Sequence, residues 1–162
     1  MKFIKALSAA AITIGLALSL LAGVANAEGG PHDKAIKARQ AMFQLYSFSM
    51  STLGAMAKGK IDYDAELAAE LAANLDAAAN LGQSAFWPPG SDNGNSENAR
   101  TRALPAIWET YPAIVEKSDA LKAATAVMAE NAGNGLEALQ SSIGDVGKSC
   151  KGCHDDYRAK KK

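Results

Sequence analysis

Near the end of the 162-residue chain, Cys150, Cys153 and His154 stand in the run Cys150-Lys151-Gly152-Cys153-His154. Two thiols three positions apart can add across the two vinyl groups of one haem, and the adjacent imidazole can reach the iron as an axial ligand. The spacing points to one covalently attached haem c, with Cys150 and Cys153 as thioether donors and His154 on the iron. Three rivals share these residues. A redox pair of the thioredoxin type opens a helix after a strand, and no strand-period segment precedes Cys150. A zinc site wants four protein ligands, and the chain offers only His32 as a further nitrogen or sulfur ligand of the usual kind. A plain disulfide across so short a loop would contribute little.

The segments that must position this motif are helical almost throughout. The apolar spacing predicts a first helix from about Asp33 to Lys58, with Ile36, Phe43, Met50 and Ala57 on one row and Arg39, Tyr46 and Leu53 on the next. A second helix starts near Asp64 and carries Leu67, Leu71, Leu75, Ala78 and Leu81, with alanine, the strongest helix former, at most other positions. From Gly82 to Arg102 the pattern breaks at Pro88-Pro89-Gly90 and a polar run, so one long connection is expected. A third helix begins near Leu104 and carries Ile107, Trp108, Tyr111, Ile114, Val115, Leu121 and Met128; Pro112 inside it should kink it. The fourth runs from about Leu136, with Leu136, Leu139, Ile143, Val146, Cys150, Cys153 and Tyr157 at alternating three- and four-residue intervals. That seam turns both cysteines toward the core. The fold class expected is all-α: an antiparallel four-helix bundle with the haem inside.

The N-terminus carries a second kind of signal. Lys2 and Lys5 precede an uncharged apolar run from Ala6 to Val24, and Ala25-Asn26-Ala27 is a small-x-small cleavage site before Glu28. Residues 1–27 therefore read as a signal peptide and residues 28–162 as the mature domain, exported to the periplasm. A retained membrane anchor is the alternative, since the run is long enough to span, but Ser8, Gly15 and Ser19 dilute it. The 17 basic and 17 acidic residues balance, and loss of Lys2 and Lys5 leaves a slight negative excess. Nothing suggests nucleic acid, and Lys160 to Lys162 read as a short solvated tail. The chain shows no nucleophile elbow, phosphate loop or general base, so an enzyme is not expected.

A bundle with Cys-x-x-Cys-His on its last helix resembles the class II cytochromes c, specifically the cytochrome c′ family. The resemblance runs through Arg39-Gln40, Ala57-Lys58-Gly59 with Tyr63-Asp64, Phe86-Trp87-Pro88-Pro89-Gly90, Ile107-Trp108 and Gly144-Asp145-Val146-Gly147 up to Tyr157-Arg158. It implies that Arg158 covers the proximal side of the haem and that Gln40, Thr101 and Arg102 reach the haem edge. Arg39 lies on a core-facing row, an awkward place for a cation unless an anion meets it, and a haem propionate is the obvious one. For Trp87, Trp108 and Tyr157, core packing is the safer reading.

Aligned on Arg39-Gln40 and on the Ala-Lys-Gly helix end, the resemblance places Phe43 at the distal position. Phenylalanine cannot ligate, which implies a five-coordinate iron open to NO or CO at an apolar site. Met42 stands about 100° around the helix and reaches the iron only if the helix rotates or the register shifts by one. Two functions stay open: a gas-binding haem protein, or a low-spin electron carrier with Met42 as sixth ligand and redox proteins as partners. The family also implies a homodimer through the first two helices, where Met56 and Phe48 stand off the seam.

Overall fold

Where each helix stops is set by local chemistry at its ends. The computed structural model describes residues 29–95 and 97–161; the expected signal segment lies outside the described residues. Helix α1 spans Asp33–Ala57. It ends at Gly59, whose φ of 65° is unfavourable for side chains with a Cβ, and the amides of Gly59 and Lys60 return to the carbonyls of Met56 and Ala55, both at 2.9 Å. Gly59→Ala should therefore destabilise the fold by about 1 kcal/mol. A thermal melt should show a lowered midpoint with unchanged helix content, and an unmoved midpoint would contradict this account of the stop. Helix α2 spans Ala65–Ala79, and the Asp64 carboxylate caps it by accepting from the Leu67 amide at 3.0 Å.

The long connection that follows contains one 3₁₀ turn, Ser84–Phe86. Beyond it the expected third helix comes in two pieces, α3 over Ala106–Glu109 and α4 over Ala113–Asn131. Pro112 was expected to kink one helix; it separates two instead. Proline lacks the amide that would bond back, and it biases the preceding residue away from helical backbone. Helix α5 spans Leu136–Tyr157, as the cysteine seam requires.

Helix α1 packs on α2 and α5, α2 on α4, and α4 on α5, closing the four long helices into the expected bundle. The Tyr63 hydroxyl fastens one end of it, donating to the Ala132 carbonyl at 2.8 Å and accepting from the Gly135 amide at 3.0 Å. Among the described residues there is no strand, only an isolated bridge between Ala103 and Arg158.

Packing corrects the expected helix faces. In α1 the buried residues are Ile36, Arg39, Met42, Tyr46, Ser49, Leu53 and Met56, so Phe43 and Met50 stand one step off the core row. Two adjacent rows of α1 are apolar, and contact with α2 and α5 selects between them. In α2, Ala68 and Ala72 lie in the core beside Leu71 and Leu75, while Leu67 and Leu81 are exposed. Short alanine side chains allow that close approach. Tyr111 and Val115 are likewise exposed.

Candidate haem site

Spacings of three and four residues put Cys153 and His154 about 60° and 40° to either side of Cys150, so the three span about 100° on the inward flank of α5. Both thiols are free and half-buried. Cys150 packs against the main core, which contains Met42 and Tyr46. Cys153 packs against a second cluster of Ala103, Ile107 and Tyr157, joined by Trp87 and Trp108. The pair therefore straddles the boundary between the two clusters. Burial pushes both thiols above their ordinary value, which keeps them as S–H groups in the folded chain.

His154 is shifted the other way. Burial lowers its pKa first, and the Arg158 and Arg102 guanidinia add to the effect. The imidazole is thereby held neutral, with a nitrogen lone pair that a metal can take. Arg158 follows one turn later, and both residues line an open cleft of about 340 Å³ with Arg102, Asp155 and Lys160.

Arg102 reaches that cleft because the exit of the crossover is tied to the end of α5. The Leu104 amide donates to the Tyr157 carbonyl at 3.0 Å, and the Ala159 amide to the Arg102 carbonyl at 2.9 Å. The Arg102 side chain completes the tie by donating through Nε to the Ala159 carbonyl at 2.7 Å. The Thr110 and Tyr157 hydroxyls meet at 3.0 Å. Tyr157 is thus a core residue, as expected.

On the α1 side, Arg39 is bonded to the crossover. It is only 2 % exposed, yet the acceptors it finds are neutral groups of the crossover. One terminal nitrogen donates to Ser91 Oγ at 2.7 Å and to the Phe86 carbonyl at 3.3 Å; the other donates to the Ser91 carbonyl and to Thr101 Oγ1, the last at 3.0 Å. Gln40 is exposed and donates to the Arg100 carbonyl at 2.8 Å, so it too holds the crossover.

Phe43 stands beside this network, 39 % exposed. Its ring meets Tyr46 edge-on at 5.5 Å and Trp87 at 6.1 Å. Tyr46 belongs to the core against which Cys150 packs, and Trp87 packs against the cluster that also meets Cys153, so Phe43 touches one residue from each group. Met42, in contrast, is 4 % exposed within the main core. The Tyr46 hydroxyl donates to the Ala78 carbonyl at 3.1 Å, and burial pushes its pKa up to about 12, which fixes it as a neutral wall.

These residues fit a covalent haem. Two free thiols at the required spacing, a neutral imidazole beside them and an aromatic wall of Phe43, Trp87 and Trp108 form one neighbourhood, and the Trp108 indole is tied to the Trp87 carbonyl at 3.1 Å. Sequence reasoning missed Ser91, which is fully buried and supplies two of the acceptors for Arg39. It sits in a polar run typical of solvated loops, and only the unpaired cation on a core row hinted at such a partner.

Residues 34–158 match the family described as Cytochrome C'. A cytochrome c-554 of Cereibacter sphaeroides is 36% identical over 148 residues, covering 91% of this chain and 95% of that protein. A cytochrome c′ of Halomonas halodenitrificans is 40% identical over 131 residues, covering 80% and 98%. The solved cytochrome c′ from Rhodobacter sphaeroides superposes with a TM-score of 0.76 at 33% identity, covering 80% of this chain and 98% of that one. Another neighbour is the nitric oxide complex of a mutant cytochrome c prime from Alcaligenes xylosoxidans, at 29% identity, TM-score 0.68 and coverage of 79% and 95%. A further cytochrome c′, at 29% identity, TM-score 0.74 and coverage of 82% and 99%, is described by an unusual ligand-controlled dimer dissociation. With its bundle, its Cys-x-x-Cys-His helix and these likenesses in agreement, the chain belongs to the cytochrome c′ family and carries haem c.

Proposed function

We propose that this chain is a periplasmic haem protein whose iron is five-coordinate and takes NO or CO at an apolar distal site. Phe43 carries the reading. Its ring, held edge-on by Tyr46 and Trp87, occupies the α1 position that the resemblance to the family implies lies opposite the iron, and it has no atom able to ligate. Met42, the ligand in the low-spin electron-carrier alternative, stands about 100° around α1 from Phe43 and reaches the position of that ring only if the helix rotates. The nitric oxide complex of the relative from Alcaligenes xylosoxidans supports a gas as the ligand class.

When bound, haem c supplies an iron that can take a gas ligand or pass one electron. The chain's own residues do the rest. Cys150 and Cys153 tether the group, and His154, kept neutral by burial and two guanidinia, is its protein ligand. Arg158 and Arg102 flank the imidazole in the same cleft and favour negative charge there. Phe43, Trp87 and Trp108 keep the opposite side apolar and exclude water. Mixing the reduced protein with CO tests the proposal: a spectral change saturating at one CO per chain is expected, and no change at millimolar CO would contradict it.

The same reading includes a homodimer through α1 and α2. An open groove of about 510 Å³ runs between them, lined by Leu45, Phe48, Leu67 and Leu71 with polar Ser49, Thr52, Glu70 and Asn74. Phe48 is 64 % exposed at its rim. Met56, expected to share this patch, is buried in the core instead, and Leu45 and Leu67 take its place. Such a face suits a second copy of the chain, since a two-fold contact pairs the same patch with itself. Sedimentation at micromolar concentration should show twice the monomer mass, and Phe48→Glu should restore the monomer. A wild-type species at the monomer mass would contradict the pairing.

A further inference from the structure

The Arg39 network has a consequence for the distal wall. A buried guanidinium normally meets a carboxylate, yet here its four bonds run to Phe86 and Ser91 early in the crossover and to Thr101 near its exit. Its Cζ atom also lies 4.5 Å from the centre of the Trp87 ring. One side chain thus closes the irregular connection on itself and seats the indole that contacts Phe43. Arginine suits both tasks at once, because its flat fork directs several donors in one plane while its face stacks on an aromatic ring. Lysine offers a point charge and cannot do both.

We propose that Arg39 is the positioning residue of the distal wall: through Trp87 it fixes the Phe43 ring and so sets how readily a gas reaches the iron. The proposal rests on Phe43 being the distal side chain. The Ser91 carbonyl and hydroxyl, the Phe86 carbonyl and the Thr101 hydroxyl hold the guanidinium against the indole.

The test uses the intact haem protein as wild type, Arg39→Lys, Trp87→Leu and the double variant. Two quantities are read: amide hydrogen exchange across residues 86–101, which needs no gas, and the CO association rate. Arg39→Lys should speed exchange in that segment about ten- to a hundredfold, as loss of charge-assisted bonds implies, and leave α5 protected. It should also speed CO association, and adding it to Trp87→Leu should change that rate by less than about twofold, since the two act as one unit. A purely structural Arg39 would lower the melting temperature while its effect on the CO rate multiplied with that of Trp87→Leu. That multiplication, or unchanged exchange over 86–101, overturns the proposal. If exchange rises but no variant binds CO, the reading of Phe43 falls and the gas-gating role with it. Should Arg39→Lys not fold, Ser91→Ala, which removes one acceptor and keeps the charge, carries the same cycle with the same outcomes.

Discussion

After denaturation and acid extraction, the haem should stay with the polypeptide, and replacing Cys150 and Cys153 together by Ala should release it entirely. The effect is all-or-none because a thioether is a covalent bond, whereas an iron–imidazole bond to His154 alone does not survive acid, which protonates the nitrogen. The free, half-buried thiols sit on a rigid helix at the spacing that two vinyl groups demand. A single Cys→Ala variant should retain haem through the remaining bond. Visible absorbance of the extracted polypeptide reads all of these outcomes, and free extraction from the wild-type protein would sink the attachment scheme.

Trimming Phe43 to Ala should raise the CO association rate strongly at little expense in stability. A fully buried phenylalanine costs roughly 3–5 kcal/mol to truncate, but this ring is 39 % exposed, so a loss on the order of 1–2 kcal/mol is expected. The kinetic effect should be larger, because the ring held by Tyr46 and Trp87 must otherwise move before a ligand fits. Flash photolysis of the CO complex measures it. Equal rates in Phe43→Ala and wild type would remove Phe43 from the distal position.

The parts of this molecule that were legible in sequence are those fixed by local spacing. Cys150, Cys153 and His154 define their chemistry within five residues, and the three-and-four rhythm from Leu139 to Tyr157 declares one buried face of α5. Register in α1 was less legible because both of its adjacent rows are apolar. Phe43 and Met50 had as good a claim to the core as Met42 and Ser49 until the neighbouring helices chose. The same holds for α2, where the small residues Ala68 and Ala72, more than Leu67 and Leu81, let the helices approach.

Pro112 illustrates a different limit. Its missing amide is a local fact, but whether the helix bends through it or restarts depends on what the flanking turns pack against. The partners of Arg39 were beyond reach, since Ser91 and Thr101 lie 52 and 62 residues away and no periodicity links them to α1. A core-facing cation was visible as a puzzle; its hydrogen-bond partners in the loop were not.

The absorption spectrum of the reduced protein, recorded alongside the oxidised spectrum for wild type and Met42→Leu, tests the central claim most directly. The volume of the core is nearly conserved in that exchange and only the sulfur is removed, so packing should hold within about 1.5 kcal/mol. With Phe43 over an open coordination position and Met42 buried at 4 % exposure, both proteins should give the same high-spin spectrum and both should bind CO. A low-spin wild-type spectrum with a methionine-to-iron charge-transfer band, lost in Met42→Leu, would contradict the account and make the protein an electron carrier.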